Sequence, residues 1–261
     1  KAYFQTEKEG RKMKNKINLP SLILTFILLI VWEAAALGID AQYILPTPVQ
    51  VVEKLWELRV VLFTVHLPAT LGVTLIGLII SIILGVLLAV IMDNFKTAEK
   101  AIYPIIVASQ TIPTTAVAPL FILWFGYSIW SKVLVTILIT FFPIVITVFD
   151  GFKSTKREME ELLETYGASK KDIFFMLKLP TALPNFFSAI KMAIPLSVIG
   201  AAIAEWLGAQ SGLGYFSKRM MTQLDGAGVF APIVLLSAVA MLSVALINIL
   251  ENKIITWRKE L

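Results

Sequence analysis

The sequence predicts an all-α integral membrane protein. Three observations support this prediction: the high content of hydrophobic residues, the low content of charged residues and the placement of the charges along the chain. Hydrophobic residues make up 57% of the 261 residues and charged residues only 16%, whereas soluble domains average about 45–50% and 25%. Formal charges are absent from long stretches of the chain, and an unpaired charge at bilayer depth costs several kcal/mol. There is no cysteine and a single histidine, which excludes disulfide scaffolds, thiol nucleophiles and clusters of histidine ligands.

The charge-poor stretches predict six transmembrane helices. A spanning helix needs about 20 predominantly apolar residues, and this requirement is met at residues 19–38, 68–92, 101–125, 130–150, 187–208 and 229–250. The turn between the third and fourth spans is short, at residues 126–131. We therefore expect a single six-helix domain at 17–261 after a polar tail at 1–16, of which residues 1–12 resemble a tag remnant.

The basic residues orient these spans, because Lys and Arg are retained on the cytoplasmic side during insertion. With the N-terminus inside, 18 of the 23 Lys and Arg residues fall on cytoplasmic segments and five on outer segments. We therefore expect a multi-pass protein of the cell membrane with both termini in the cytoplasm. The net charge of +5 then reflects orientation, and no nucleic acid partner is expected.

The largest polar segment inside the chain is the cytoplasmic loop at 151–186, between spans four and five. Its first part is rich in helix-forming residues and ends at Gly167, where a helix C-cap favours left-handed backbone. Ser169 and Asp172 have the spacing of a capping box that opens a second short helix, which Pro180 is expected to stop. The apolar residues of this second helix must pack on the bundle, at the headgroup boundary or in a groove of a partner.

The spacing within this loop resembles the EAA loop in permease subunits of ATP-binding-cassette importers. The motif consists of Glu-Ala-Ala, a Gly, an Ile and a closing Leu-Pro at fixed intervals, and the matching positions are Glu161, Gly167, Leu177, Leu179 and Pro180. Leucines at 162 and 163 stand where the motif has its two alanines. The resemblance implies that the loop couples the permease to an ATPase subunit, through Glu161, Gly167, Ala168, Ser169, Phe174, Leu177, Leu179 and Pro180.

Other segments are similar to the sulfonate, taurine and nitrate branch of these permeases, which includes importers of thiamine pyrimidine precursors. The similar segments lie at 44–49, 112–126, 204–209 and 212–215, and the matches run from about residue 30 to residue 258. Residues 204–223 and 228–232 are most similar to the pyrimidine-precursor importers, with aliphatic sulfonate, taurine or nitrate importers as alternatives. The resemblance implies a homodimer of this chain, two cytoplasmic ATP-binding subunits and an extracytoplasmic solute-binding protein.

The sequence contains no Walker A motif, so it lacks the glycine-rich loop that holds nucleotide phosphates. We therefore expect ATP and Mg²⁺ to bind the partner ATPase, and we expect no catalytic residue, metal site or cofactor in this chain. The spans also lack a cationic pocket suited to sulfonate or nitrate, which favours a neutral heterocycle as substrate.

The third span is the candidate wall of a translocation pathway, because lipid tolerates neither unpaired polar groups nor irregular backbone. Its polar and helix-breaking residues are Ser109, Gln110, Thr111, Pro113, Thr114 and Thr115. Hydrogen bonding between packed helices explains the same hydroxyl groups equally well. Glu205 in the fifth span is a further candidate, either as a gate residue bonded to neighbouring backbone or as a direct substrate contact.

Other charged residues have simpler interpretations. Lys218 and Arg219 suit an acidic patch on a binding protein. His66 is expected at the membrane interface, Glu33 as an interfacial anchor or packing partner, and Lys191 near the inner headgroups.

Two other classes of protein compete with a permease. A secondary carrier requires charged relays or inverted repeats in the spans, and a membrane enzyme requires a catalytic cluster. Neither pattern is found in the sequence.

Overall fold

The computed structural model describes residues 19–256, and over this range the chain is almost entirely helical with no β-strand. The predicted tail at 1–16 lies outside these residues. The helices are α1 (Leu19–Ile39), α2 (Pro48–Glu57), α3 (Arg59–Asn94), α4 (Lys96–Ser109), α5 (Thr114–Phe125), α6 (Ile129–Lys153), α7 (Arg157–Thr165), α8 (Lys170–Gly208), α9 (Leu213–Thr222) and α10 (Gly226–Ile254). α3 and α8 each contain one π-helical turn, at Leu62–His66 and Phe174–Lys178.

Five of these helices, α1, α3, α6, α8 and α10, are each long and apolar enough to cross a membrane. α4 and α5 meet the same criterion only as a pair, and their axes are bent by 97° at the break between them. The described chain therefore has five candidate spans, or six if the bent pair counts as one. The class of all-α membrane protein is confirmed, while the number of six spans and the orientation of the termini stay predictions.

The core of the bundle is formed by α3, α6 and α8, which have the most extensive mutual contacts. Small residues let these helices approach closely, as is common between helices in membranes. A Cβ atom added to Gly77 of α3 would lie 2.6 Å from Thr136 Cγ2 of α6, and one added to Gly200 of α8 would lie 3.1 Å from Thr136 Cα. The Ser81 and Thr140 hydroxyl groups are 2.6 Å apart between α3 and α6. These contacts fix the central helices against each other.

α1 and α10 lie at the periphery of the bundle. In each helix, only 6% of the most apolar 18-residue stretch is buried inside the protein. Trp32 anchors α1, because its Nε1 donates to the carbonyl of Pro46 at 3.0 Å and its ring packs 5.6 Å from that of Phe230. Glu33 beside it is half-buried. The exposed apolar flanks of both helices are typical of surfaces that contact lipid or another chain.

The structure corrects the expectation that Pro180 stops a helix. α8 continues without interruption from Lys170 through Pro180 to Gly208. Because the π-helical turn Phe174–Lys178 ends just before it, Pro180 occupies the second position of the α-helical segment that follows. A missing amide hydrogen is tolerated at that position.

Lys191, which is expected near the inner headgroups, is paired with α10. Its Nζ lies 2.7 Å from the Glu251 carboxylate. The pair is partly buried, so the cost of placing one charge within an apolar helix is reduced by the opposite charge.

Candidate functional site

One end of the bundle, which we call the α9 end, comprises α9, the loop before it and the ends of α3 and α8. The first amides of a helix have no acceptor within that helix. At α9 three successive amides donate to side chains from α3 and α8: Gly212 N to His66 Nδ1 at 3.1 Å, Leu213 N to Thr70 Oγ1 at 2.8 Å, and Gly214 N to Glu205 Oε2 at 2.8 Å. The three acceptor residues, His66, Thr70 and Glu205, are 5%, 3% and 1% exposed. Together they clamp the start of α9 onto the long helices.

Glycine is required at position 212 of this clamp. Its φ of +119° is a conformation that other residues rarely adopt. A Cβ atom at this position would also overlap the carboxyl group of Glu205. The structure therefore places Glu205 against the backbone of α9, which is the first of the two roles considered for it.

His66 is buried inside the protein, and its expected position at the membrane interface stays a prediction. α9 folds over it, and its ring centroid lies 4.8 Å from that of Phe216 and 6.1 Å from that of Tyr215. Because these contacts join residues far apart in the chain, its position in the sequence gives no signal of them.

Lys218 and Arg219, predicted to dock a binding protein, are exposed on α9. Lys218 Nζ donates to the carbonyl of Trp206 at 2.6 Å, near the C-terminal end of α8. A cation is favourable at that end of a helix because unpaired carbonyl groups lie there. The two basic groups therefore give the exposed side of α9 a positive charge.

An ion pair also holds α2 at this end. Lys54 Nζ lies 3.2 Å from Asp225 and 3.2 Å from Glu57. Partial burial by itself lowers the pKa of Lys54, because it disfavours the charged amine. The hydrogen bonds to Glu57 and Asp225 outweigh this effect and raise the pKa of Lys54 above its ordinary value. Asp225 also caps α10 by accepting from the amide of Gly228 at 2.8 Å.

The predicted pathway residues lie at the break between α4 and α5. The hydroxyl groups of Ser109 and Thr111 donate to carbonyls of their own turn, those of Ile106 and Ala108, each at 2.7 Å. Gln110 and Thr111 are exposed. A cavity of about 260 Å³ lies beside the break, and the predicted residues among its lining are Ser109, Gln110 and Thr114.

A larger cavity of about 650 Å³, which we call the α8–α10 cavity, lies between α8, α9 and α10 with Thr115 of α5 at its edge. Its lining includes the hydroxyl-bearing residues Thr115, Ser217 and Ser237, and the Ser217 hydroxyl donates to the carbonyl of Val229 at 3.4 Å. Trp206 contributes an aromatic ring, and none of these lining residues is charged. Glu205 is not among them, although Gly214, its hydrogen-bond partner, is.

The opposite end, which we call the α7 end, carries α7 and the start of α8. Gly167 has a φ of +83° directly after α7, so the left-handed glycine predicted there is confirmed. Ser169 and Asp172 form the predicted capping box. Gly167, Ala168 and Ser169 thus form a tight turn between α7 and α8. Within it, the amide of Ala168 donates to the carbonyl of Leu163 at 3.0 Å.

The predicted coupling residues differ in exposure. Glu161 is on the surface and pairs with Arg157 at 2.8 Å. Phe174 faces inward, with its ring 5.6 Å from that of Phe152 in α6. Leu177 and Pro180 are half-buried and Leu179 is 36% exposed. Two exposed apolar side chains at the start of α8 were not singled out from the sequence, Phe175 at 56% and Met176 at 74%.

Lys178 connects the α7 end to the core. Its Nζ lies 3.2 Å from Asp93 at the end of α3 and 3.5 Å from Glu160 of α7. The Asp93 side chain is 4% exposed and that of Lys178 is 18% exposed. One ammonium group thus bridges three helices, and sequence reasoning missed it because Asp93 lies far away in the chain.

A helical bundle with a broken apolar span, a cavity between helices and an exposed helical loop is typical of a membrane transport subunit. Among residues 19–256, no group of three or more His, Asp or Glu residues is placed to hold a metal ion. The sequence matches the family model of the binding-protein-dependent transport system inner membrane component over residues 81–256. The chain belongs to this family.

Named relatives support the same conclusion. The chain is 52% identical over 242 residues to the formylaminopyrimidine transport permease protein ThiX of Halalkalibacterium halodurans, covering 93% of this chain and 97% of that protein. It is 34% identical to the riboflavin transport system permease protein RibX of Chloroflexus aurantiacus, covering 92% and 90%. It is 30% identical to the putative aliphatic sulfonates transport permease protein SsuC of Bacillus subtilis, covering 97% and 91%.

The resemblance to permeases of ATP-binding-cassette importers is thereby confirmed. The chain is a permease subunit of the cell membrane and is not itself an enzyme, because ATP hydrolysis resides in a partner subunit. The family implies an ATPase and a binding protein as partners. A secondary carrier and a membrane enzyme are both inconsistent with this membership.

Proposed function

We propose that this permease forms the translocation pathway for a thiamine pyrimidine precursor of the hydroxymethylpyrimidine or formylaminopyrimidine type. The observation that carries the proposal is the 52% identity to a formylaminopyrimidine permease over 93% of the chain. The uncharged lining of the α8–α10 cavity supports it, because sulfonate and nitrate are anions that need a cationic or strongly donating site. An aliphatic sulfonate, taurine or nitrate is the alternative cargo.

The proposed assembly is a homodimer of this chain with two cytoplasmic ATPase subunits, which bind ATP and Mg²⁺, and one extracytoplasmic binding protein. Residues 17–261 form one domain with six spans, in which the bent pair α4 and α5 counts as a single span. Both termini and the α7 end lie in the cytoplasm. The excess of Lys and Arg on that side supports this orientation.

At the α7 end, the proposed contact with the ATPase consists of Glu161 together with the exposed Phe175 and Met176. Gly167, Ala168 and Ser169 supply the turn that presents this surface, while Phe174, Leu177, Leu179 and Pro180 attach it to the bundle. Since Lys178 joins α7, α8 and α3, a displacement of the loop by the ATPase would reach the core through it.

At the α9 end, Lys218 and Arg219 are the proposed contacts for an acidic patch of the binding protein. Glu205 has a positioning role, because it holds α9 in place through the amide of Gly214. The pathway itself is proposed to pass the break formed by residues 109–115. The exposed backbone there requires water or protein around it, since lipid cannot satisfy it.

The test is transport by the complete complex in proteoliposomes, with the cognate ATPase and binding protein. We expect ATP-dependent uptake of radiolabelled formylaminopyrimidine, competed by hydroxymethylpyrimidine and not by taurine or nitrate. Uptake of taurine, an alkanesulfonate or nitrate without uptake of either pyrimidine would overturn the assignment of substrate.

A further inference from the structure

The α8–α10 cavity has the size and composition of a small-molecule site. Its volume of about 650 Å³ lies within the range of about 300–1,000 Å³ that ligand pockets occupy. Such pockets are mainly apolar with a few converging polar groups. Here the hydroxyl groups of Thr115, Ser217 and Ser237 come from three different helices, α5, α9 and α10.

The aromatic ring in the lining indicates the shape of the ligand. Trp206 lies near the C-terminal end of α8 and is 41% exposed, so the indole retains a free surface. Aromatic rings stack with an offset or meet edge to face. A flat heterocycle therefore fits beside Trp206 with its ring nitrogens or amino groups directed to the hydroxyl groups.

The absence of charge in the lining indicates the class of ligand. None of the described residues that line the cavity is Asp, Glu, Lys, Arg or His. Desolvating an anion without a counter-charge is costly, so the site would reject sulfonate and nitrate. A neutral heterocycle loses only hydrogen bonds to water, which the hydroxyl groups replace in part.

The cavity lies beside two irregular parts of the bundle. Gly214 forms part of its wall and is also held by Glu205, so the start of α9 borders the cavity. Thr115, on the other side, follows directly after the break between α4 and α5. The cavity therefore joins the two irregular elements of the bundle.

We infer that the α8–α10 cavity is a resting site for a neutral, planar heterocycle within the permease, and that it excludes anions independently of the binding protein. This inference rests on the proposed function for the identity of the cargo. It adds a second point of selection to the one that the binding protein supplies.

The test uses the permease–ATPase complex in nanodiscs without binding protein, and equilibrium binding of radiolabelled hydroxymethylpyrimidine. We expect saturable binding that taurine does not displace. Ser237→Phe fills the cavity and should lower affinity by about tenfold, equivalent to ~1.4 kcal/mol, with a matching loss of uptake in the complete transporter. Leu242→Phe is the matched control, because Leu242 lies on the same helix, is 71% exposed and is outside the cavity lining.

Substitutions of Trp206 separate a binding role from a packing role. Trp206→Ala should weaken binding, and Trp206→Phe should restore most of it, since either ring can stack on the ligand. Thermal unfolding of both variants, compared with that of Leu242→Phe, separates loss of packing from loss of binding. Affinity unchanged by Ser237→Phe and by Trp206→Ala would overturn the inference.

The outcomes also distinguish this inference from the proposed function. If the complete transporter takes up the pyrimidine while Ser237→Phe has no effect on uptake or binding, only the resting site is wrong. If the unmodified complex transports an anion and no pyrimidine, the assignment of substrate is wrong and the exclusion of anions is wrong with it.

Discussion

The two ends of the bundle are held together by different interactions. At the α9 end, three buried side chains accept hydrogen bonds from three successive backbone amides. At the α7 end, the ion pairs of Lys178 and Lys153 join the loop and α6 to the ends of α3 and α4. The first arrangement depends on close backbone contact, because the glycine at 212 lies directly against the carboxyl group of Glu205. The second joins long side chains, whose rotamers can change while the charges stay close. The difference indicates that the α9 end is more tightly constrained in geometry than the α7 end.

The largest effect expected from this comparison is that of Gly212→Ala. The substitution combines a positive φ with a Cβ that overlaps Glu205, and we expect a destabilisation of about 3 kcal/mol. Thermal unfolding in detergent, followed by tryptophan fluorescence, measures it. Gly72→Ala is the control, because a Cβ there meets nothing within 4 Å. Equal unfolding temperatures for the two variants would show that the α9 end is not a fixed clamp.

The next largest effect is expected for Lys178→Met, which leaves Asp93 buried without its partner. We expect a loss of about 2 kcal/mol, below the value for fully buried pairs because Lys178 and Glu160 retain some exposure. The ratio of transport to ATP hydrolysis should fall as well. The double variant Lys178→Met with Asp93→Asn should regain part of the stability. A double variant no more stable than Lys178→Met alone would contradict the role of the pair.

A smaller effect on stability is expected for Gly167→Val. A β-branched residue at a φ of +83° is strained by about 1–2 kcal/mol, but a Cβ there meets nothing within 4 Å. We expect normal insertion and ATPase activity that is uncoupled from transport. Transport rate per ATP hydrolysed is the measurement, with Gly38→Ala as control. Full transport by Gly167→Val would refute the role of the turn.

The smallest effect on stability is expected for Glu161→Gln. Its partner Arg157 is 88% exposed, and surface pairs contribute about 0–1 kcal/mol. We therefore expect an unchanged unfolding temperature and a weaker association with the ATPase subunit, measured by co-purification. A large shift in the unfolding temperature would place Glu161 in the fold and not in the contact.

Local features were predictable from the sequence because they depend on neighbouring residues. The capping box of Ser169 and Asp172 and the left-handed Gly167 were found at the expected positions. Pro180 was interpreted wrongly, since the effect of a proline depends on whether a π-helical turn precedes it. The inward face of Phe174 and the exposure of Phe175 could not be assigned, because that same turn sets which side of α8 faces the bundle.

The sequence by itself determined the membrane class, the family and the turn at Gly167 with the capping box that follows it. Each of these rests on local composition or on the spacing of a few residues, which folding does not alter. Only the tertiary structure decided that Glu205, His66 and Thr70 share one task at α9, and that Lys178 bridges three helices. It also decided that the described residues lining the cavity between α8 and α10 include no charged side chain. Contacts between distant segments depend on how the helices pack, and helix packing is set by side-chain shape at every contact at once.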